Sequence, residues 1–169
     1  MGWLWLVLAV VVIALVLVAT AKAGKTGGSV DFPYRPAKEL FSPAERAFLG
    51  ALDQAAGPDF RVFGKVRVND LAEVKPGLSN GAKQGALNKV AYRHFDFVVC
   101  RVVDLGAVCA VELDDKSHAS KRAQARDAFV VGVCEAIGLP LLRVPAARGY
   151  SVSELRAQLL GRIQPNKAP

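Results

Sequence analysis

Residues 94–118 read HFDFVVCRVVDLGAVCAVELDDKSH. Phe95 to Val103 is an apolar run interrupted by Asp96 and Arg101, and Ala107 to Leu113 is a second that carries Glu112 near its end. The short Asp104-Leu105-Gly106 turn between them predicts an antiparallel hairpin. A turn centred there brings positions 96 and 112 within cross-strand reach. A carboxylate inside an apolar run is costly unless it is paired, neutralised or bound to a metal. Two of them on facing strands make a hard oxygen site suited to Mg²⁺. Such an ion can polarise a phosphoryl oxygen and lower the pKa of a bound water. Asp114, Asp115 and His118 extend the polar cluster. Structural roles fit the same residues: Asp114-Asp115 as a turn and N-cap, Asp96 paired with Arg93 or Arg126, Glu112 facing water from a sheet edge.

Outward from the hairpin, helix and strand signals alternate. Ser42-Pro43-Ala44-Glu45 is a capping box with proline at the first helical position. Phe48, Leu49 and Leu52 follow at helical spacing, and Gly57-Pro58 ends the helix. Phe60 to Val68 partly alternates, as a half-buried strand does. Asn69 to Arg93 is a polar connection with turns at Pro76-Gly77 and Asn80-Gly81. After the hairpin, Ala119 to Ile137 is helical, with Phe129, Val130, Val133, Cys134 and Ile137 on one face. Gly138 and Pro140 close it, and residues 139–144 form a short buried strand. Ser151-Val152-Ser153-Glu154 opens a last helix to about Ile163. The order α-β-β-β-α-β-α predicts an α/β domain, a mixed sheet flanked by helices.

The chain has 169 residues, 52% of them hydrophobic and 22% charged, which excludes a disordered chain. Its three cysteines, Cys100, Cys109 and Cys134, form no CxxC and suggest neither a zinc site nor a paired secreted framework. They read as small buried hydrophobes in a reducing compartment.

The N-terminal segment stands apart. Residues 3–21 read WLWLVLAVVVIALVLVATA, uncharged and with Thr20 as the one polar residue. As a helix this spans roughly 28 Å, about one bilayer core. Trp3 and Trp5 suit an interface, and a soluble helix would show a polar stripe that this one lacks. Small residues near Ala21 resemble a signal-peptide cleavage site, but no cation precedes the apolar run. The cations follow it, at Lys22, Lys25, Arg35 and Lys38. The positive-inside rule then predicts an uncleaved single-pass anchor at residues 1–21 in the cytoplasmic membrane, with the folded domain in the cytoplasm. Residues 22–39 read as a flexible linker, 40–163 as the domain and 164–169 as a tail. The whole formal charge of +7 lies beyond the anchor.

HFDFVVC (94–100), VELDDKSH (111–118), ARDAFV (125–130) and GLPLLRV (138–144) together resemble the bacterial domain-of-unknown-function family 2726. FSPAERAFLGAL (41–52) and RVFGKVRV (61–68) resemble its opening helix and strand, so the likeness covers roughly residues 40–145. That family is similar to the restriction-endonuclease-like PD-(D/E)XK superfamily. The resemblance implies an αβββαβ nuclease core, with Asp96 and Glu112 as the two motif acids on a divalent metal. The superfamily's lysine is expected two residues after the second acid, where this chain has Asp114. A lysine from Lys116, Lys121 or Lys89, or His118 as a base, would have to stand in for it.

His118, Arg122 and Arg126 recur every four residues along one helical face. Such a row suits a phosphate backbone, with Arg126 stabilising phosphoryl charge, or a solvated, ion-paired face. Lys75, Lys83, Lys89 and Arg93 precede the first acid with no acidic residue among them. With Lys65 and Arg67 they make a basic stretch, and Lys89, Arg93, Lys116, Lys121 and Arg122 are the candidate nucleic-acid contacts. Anionic lipid headgroups would attract the same charges. The expected activity is Mg²⁺-dependent phosphodiester hydrolysis or nucleic-acid binding, with no small-molecule cofactor implied. The alternative is a catalytically inactive, membrane-tethered binding or interaction module.

Overall fold

The computed structural model of the protein describes residues 2–23, 32–114 and 121–164. It divides into two units, residues 1–38 and 39–169.

In the first unit, helix α1 spans Gly2–Ala23. Its side chains are described for residues 2–17 and are all exposed. Among the described residues no helix is long and apolar enough to cross a membrane. A crossing takes about 20 residues, and the apolar stretch 3–21 runs past the last described side chain of α1. Residues 32–38 have no regular structure.

The second unit begins with α2, Pro43–Ala56. Its capping box is complete: Ser42 Oγ accepts from Glu45 N at 3.3 Å, and Glu45 Oε2 accepts from Ser42 N at 2.8 Å. Strand β1, Phe60–Arg67, is followed by a 3₁₀ turn at Val68–Asp70 and by helix α3, Asn80–Val90. The polar connection was expected to be a loop, and α3 corrects that expectation. Asn80-Gly81 is the first turn of the helix, with Ser79 Oγ accepting from Ala82 N at 3.3 Å. Two glycines and weak amphipathicity hide this helix, and burial of Val90 ties it to the core.

Strands β2, His94–Arg101, and β3, Ala107–Asp114, form the expected hairpin. Helix α4, Lys121–Ile137, then crosses to β4, Leu141–Pro145, and α5, Val152–Ile163, closes the domain. The strand order is β1-β2-β3-β4, antiparallel except for the parallel β3–β4 pair. A short turn can reverse a chain, but a parallel neighbour needs a crossover, and α4 is that crossover.

Both faces of the sheet are covered. On one, Phe48 and Leu52 of α2 and Leu155 and Leu159 of α5 pack against Phe97, Val99, Cys109, Val111, Leu142 and Val144. On the other, Val130 and Cys134 of α4 pack with Val68, Val90, Val98, Cys100 and Ala110. Ile137, expected on the buried face of α4, is instead 36% exposed at its last turn. All three cysteines are free and buried.

Candidate active site

The β2–β3 register pairs Phe97 with Val111, and one further step sets Asp96 opposite Glu112. Directly opposed residues project to the same face, so the two acids meet as the hairpin predicts. On the other side of β2, the pairs Gly64–Phe97 and Val66–Phe95 leave Lys65 opposite Asp96. On β4, Arg143 is in register with Glu112. One row across all four strands is therefore Lys65, Asp96, Glu112, Arg143: two acids flanked by two cations.

Lys65 stands beside the first acid. Its Nζ lies 3.6 Å from Asp96 Oδ1 and donates a hydrogen bond to Glu45 Oε1. Neither Lys65 nor Glu45 was among the residues expected at the site. Glu45 was read as a helix cap, and one of its oxygens does cap α2 while the other holds the ammonium. Burial alone would raise the Glu45 carboxyl, but the hydrogen bonds from Lys65 and Ser42 bring it below its ordinary value. Lys65 has φ 54°, a left-handed conformation inside a strand that costs a non-glycine residue about 1–3 kcal/mol. Gly64 beside it lies so close to Phe41 that a Cβ would strike the ring. That ring is stacked on Phe97 at 5.7 Å and sits 5.9 Å from the Lys65 ammonium. Lys65 is thus held from three sides.

Asp96 Oδ2 accepts from Leu113 N at 3.0 Å, which ties β2 to β3 where the backbone pairing ends. Partners at Arg93 or Arg126 are open expectations; among the described residues Asp96 pairs with Lys65, and the Arg126 side chain lies outside them. Glu112 is not an edge residue facing water, because β3 lies between β2 and β4. Its Oε1 is buried with no hydrogen-bond partner among the described residues. Burial and then the facing Asp96 push the Glu112 carboxyl up to about 7, with Asp114 and Asp127 adding and Arg143 opposing. Asp114 ends β3, and its carbonyl accepts from Ala146 N at 2.9 Å; the residues that follow it, where a turn or cap would form, lie outside the described residues.

The other expected residues are placed less closely. Lys89 is exposed on α3. Arg93 donates from Nε to the Lys89 carbonyl at 2.7 Å and lies over the Phe129 ring at 4.6 Å, so much of this guanidinium serves packing. Lys116 and His118 lie outside the described residues, as do the side chains of Lys121, Arg122 and Arg126 on α4.

Among the described residues no group of three or more His, Cys, Asp or Glu gathers that could hold a metal. Asp96 and Glu112 are a pair. Mg²⁺ is commonly held by one or two carboxylates, with waters and substrate phosphate completing its shell. The unpartnered Glu112 oxygen beside a second carboxylate fits that kind of ion.

Searches of curated proteins and of solved structures give no match. A family model does match, over residues 37–163, which takes in every element from α2 to α5 and the whole four-strand row. The chain belongs to the family described as Protein of unknown function (DUF2726).

Proposed function

We propose that this chain is a membrane-tethered, PD-(D/E)XK-type domain that hydrolyses phosphodiester bonds of nucleic acid with Mg²⁺. The observation that carries the reading is the Lys65 ammonium 3.6 Å from Asp96, the acid that faces Glu112. A lysine beside the first of two neighbouring acids is the grouping the superfamily resemblance implies, here supplied from β1 instead of from position 114. Asp96 and Glu112 would hold the ion, which supplies polarisation of a phosphoryl oxygen and a more acidic water. Lys65, fixed by Glu45, orients the attacking water and offsets charge that grows on the phosphoryl oxygens. Water oxygen bonds to phosphorus and gives up a proton to solvent, the bond from phosphorus to the leaving oxygen breaks, and that oxygen takes up a proton from solvent.

The full chain in a non-ionic detergent tests this. It should nick plasmid DNA or cut single strands with Mg²⁺ or Mn²⁺, and Asp96→Ala should lose about 100-fold. Absence of divalent-ion binding by calorimetry, together with an unchanged Asp96→Ala, removes the enzymatic reading. Asp114 at the usual lysine position favours a second reading, a binding module without hydrolysis. Salt-sensitive nucleic-acid binding with no cleavage supports that one.

The tether is part of the same proposal. Residues 3–21 are uncharged, the backbone of Gly2–Ala23 is helical, and the first cations follow. These support a single-pass anchor in the cytoplasmic membrane with the domain in the cytoplasm. The full chain should stay in the membrane pellet through an alkaline carbonate wash. Release into the supernatant refutes the anchor.

A further inference from the structure

We infer that Arg143, on the edge strand β4, is a phosphate-binding residue that seats a substrate phosphodiester beside the acid pair. This rests on the hydrolytic reading above and assigns the group that would receive its substrate.

The two cations of the row are used differently. Lys65 is already held by carboxylates of the protein, through a hydrogen bond to Glu45 and 3.6 Å from Asp96. Arg143 is held more loosely: its Nη1 lies 3.9 Å from Asp127 Oδ2, too far for a hydrogen bond, and its buried Nε has no partner among the described residues. A buried guanidinium N–H left unbonded costs free energy that a native fold seldom leaves uncompensated. Directly across the β3–β4 register, Glu112 leaves a buried oxygen equally unbonded. The two orphaned atoms are opposite in kind, one a donor and one a carboxylate oxygen. They did not close on each other as an ion pair. A single ligand satisfies both if it presents acceptor oxygens to Arg143 and a cation to Glu112. A phosphate group with its divalent ion has that polarity, and guanidinium matches phosphate oxygens with two parallel donors.

Access is open as well. Arg143 is 33% exposed and lines a cleft of about 460 Å³ shared with Cys134, Glu135, Pro140, Leu141 and Arg162. Nothing in the sequence marks Arg143, because its place opposite Glu112 depends on a crossover through α4.

The test is binding, so it does not depend on turnover. A fluorescein-labelled 16-base-pair DNA is titrated with the full chain in non-ionic detergent, in Ca²⁺, across a salt series. Arg143→Gln should weaken binding about tenfold, and the slope of log affinity against log salt should shrink by about 0.9. Arg143→Lys keeps the charge without the fork and should recover only part of the affinity. A structural role alone would not change the salt slope, and it separates lost folding from a lost phosphate contact. Wild-type affinity and slope in Arg143→Gln overturn the assignment while leaving the hydrolytic reading intact. Failure of the wild-type chain to bind this duplex, or single-stranded DNA or RNA of the same length, overturns both. Displacement of the DNA by phosphatidylglycerol doped into the micelles at matching phosphate concentration overturns the assignment in favour of a lipid headgroup.

Discussion

Glu112→Gln will make the protein more stable at pH 8 and inactive at every pH. Burial and the facing Asp96 push the folded carboxyl up to about 7 from an ordinary value of 4.5. The folded state therefore binds this proton more tightly than the unfolded state does. Stability contributed by the protonated form is present at low pH and is lost as pH rises from 4.5 through 7. Above that window the full cost of the buried charge is present, up to about 3 kcal/mol. Glutamine has the same shape and carries no such charge. Its melting temperature at pH 8 in EDTA should exceed that of the wild type by roughly 5–10 °C, and the gain should vanish toward pH 4. The same change removes a ligand for the ion, and cleavage should fall about 10³-fold. Added Mg²⁺ should stabilise the wild type and leave the variant unmoved. A variant less stable than wild type at pH 8 would show that Glu112 serves the fold, not a site that tolerates strain for function.

Lys65→Met should cost 10²–10³-fold in cleavage, the usual loss when one preorganised cation or donor leaves a reacting centre. Stability should fall as well, by about 1–3 kcal/mol, because Glu45 and Asp96 are then left beside an apolar chain. Glu45→Gln separates the two roles of that residue. Glutamine at the third helical position still completes the capping box, so α2 keeps its start. The charge that holds the ammonium is gone, and cleavage should drop about tenfold with a nearly unchanged melting temperature. A Lys65→Met variant with wild-type turnover would return the search for the lysine to Lys116 and Lys121.

The strands and helices whose signals are local were legible before any coordinates. Ser42-Pro43-Ala44-Glu45 announces α2 because a cap is a contact between residues three apart. The turn at residues 104–106 places Asp96 and Glu112 within cross-strand reach, and the irregularity at Val99/Cys100 sets the final register. Helix α3 was missed for a local reason too: Asn80-Gly81 and Gly85 weaken every helix signal, and burial of Val90 supplies what propensity does not.

What the chain determined by itself is every strand, the helices other than α3, the hairpin and the nearness of the two acids, because each follows from local signals or one short turn. Lys65 and Arg143 entered the row only through tertiary structure. β1 and β2 are separated by residues 68–93, and β3 and β4 by the α4 crossover. Over such distances no turn sets the register. Packing of α2 and α5 on one face and α4 on the other selects it. Glu45 shows both halves in one side chain: its cap was readable from three residues away, and its grip on Lys65 needed the sheet to form.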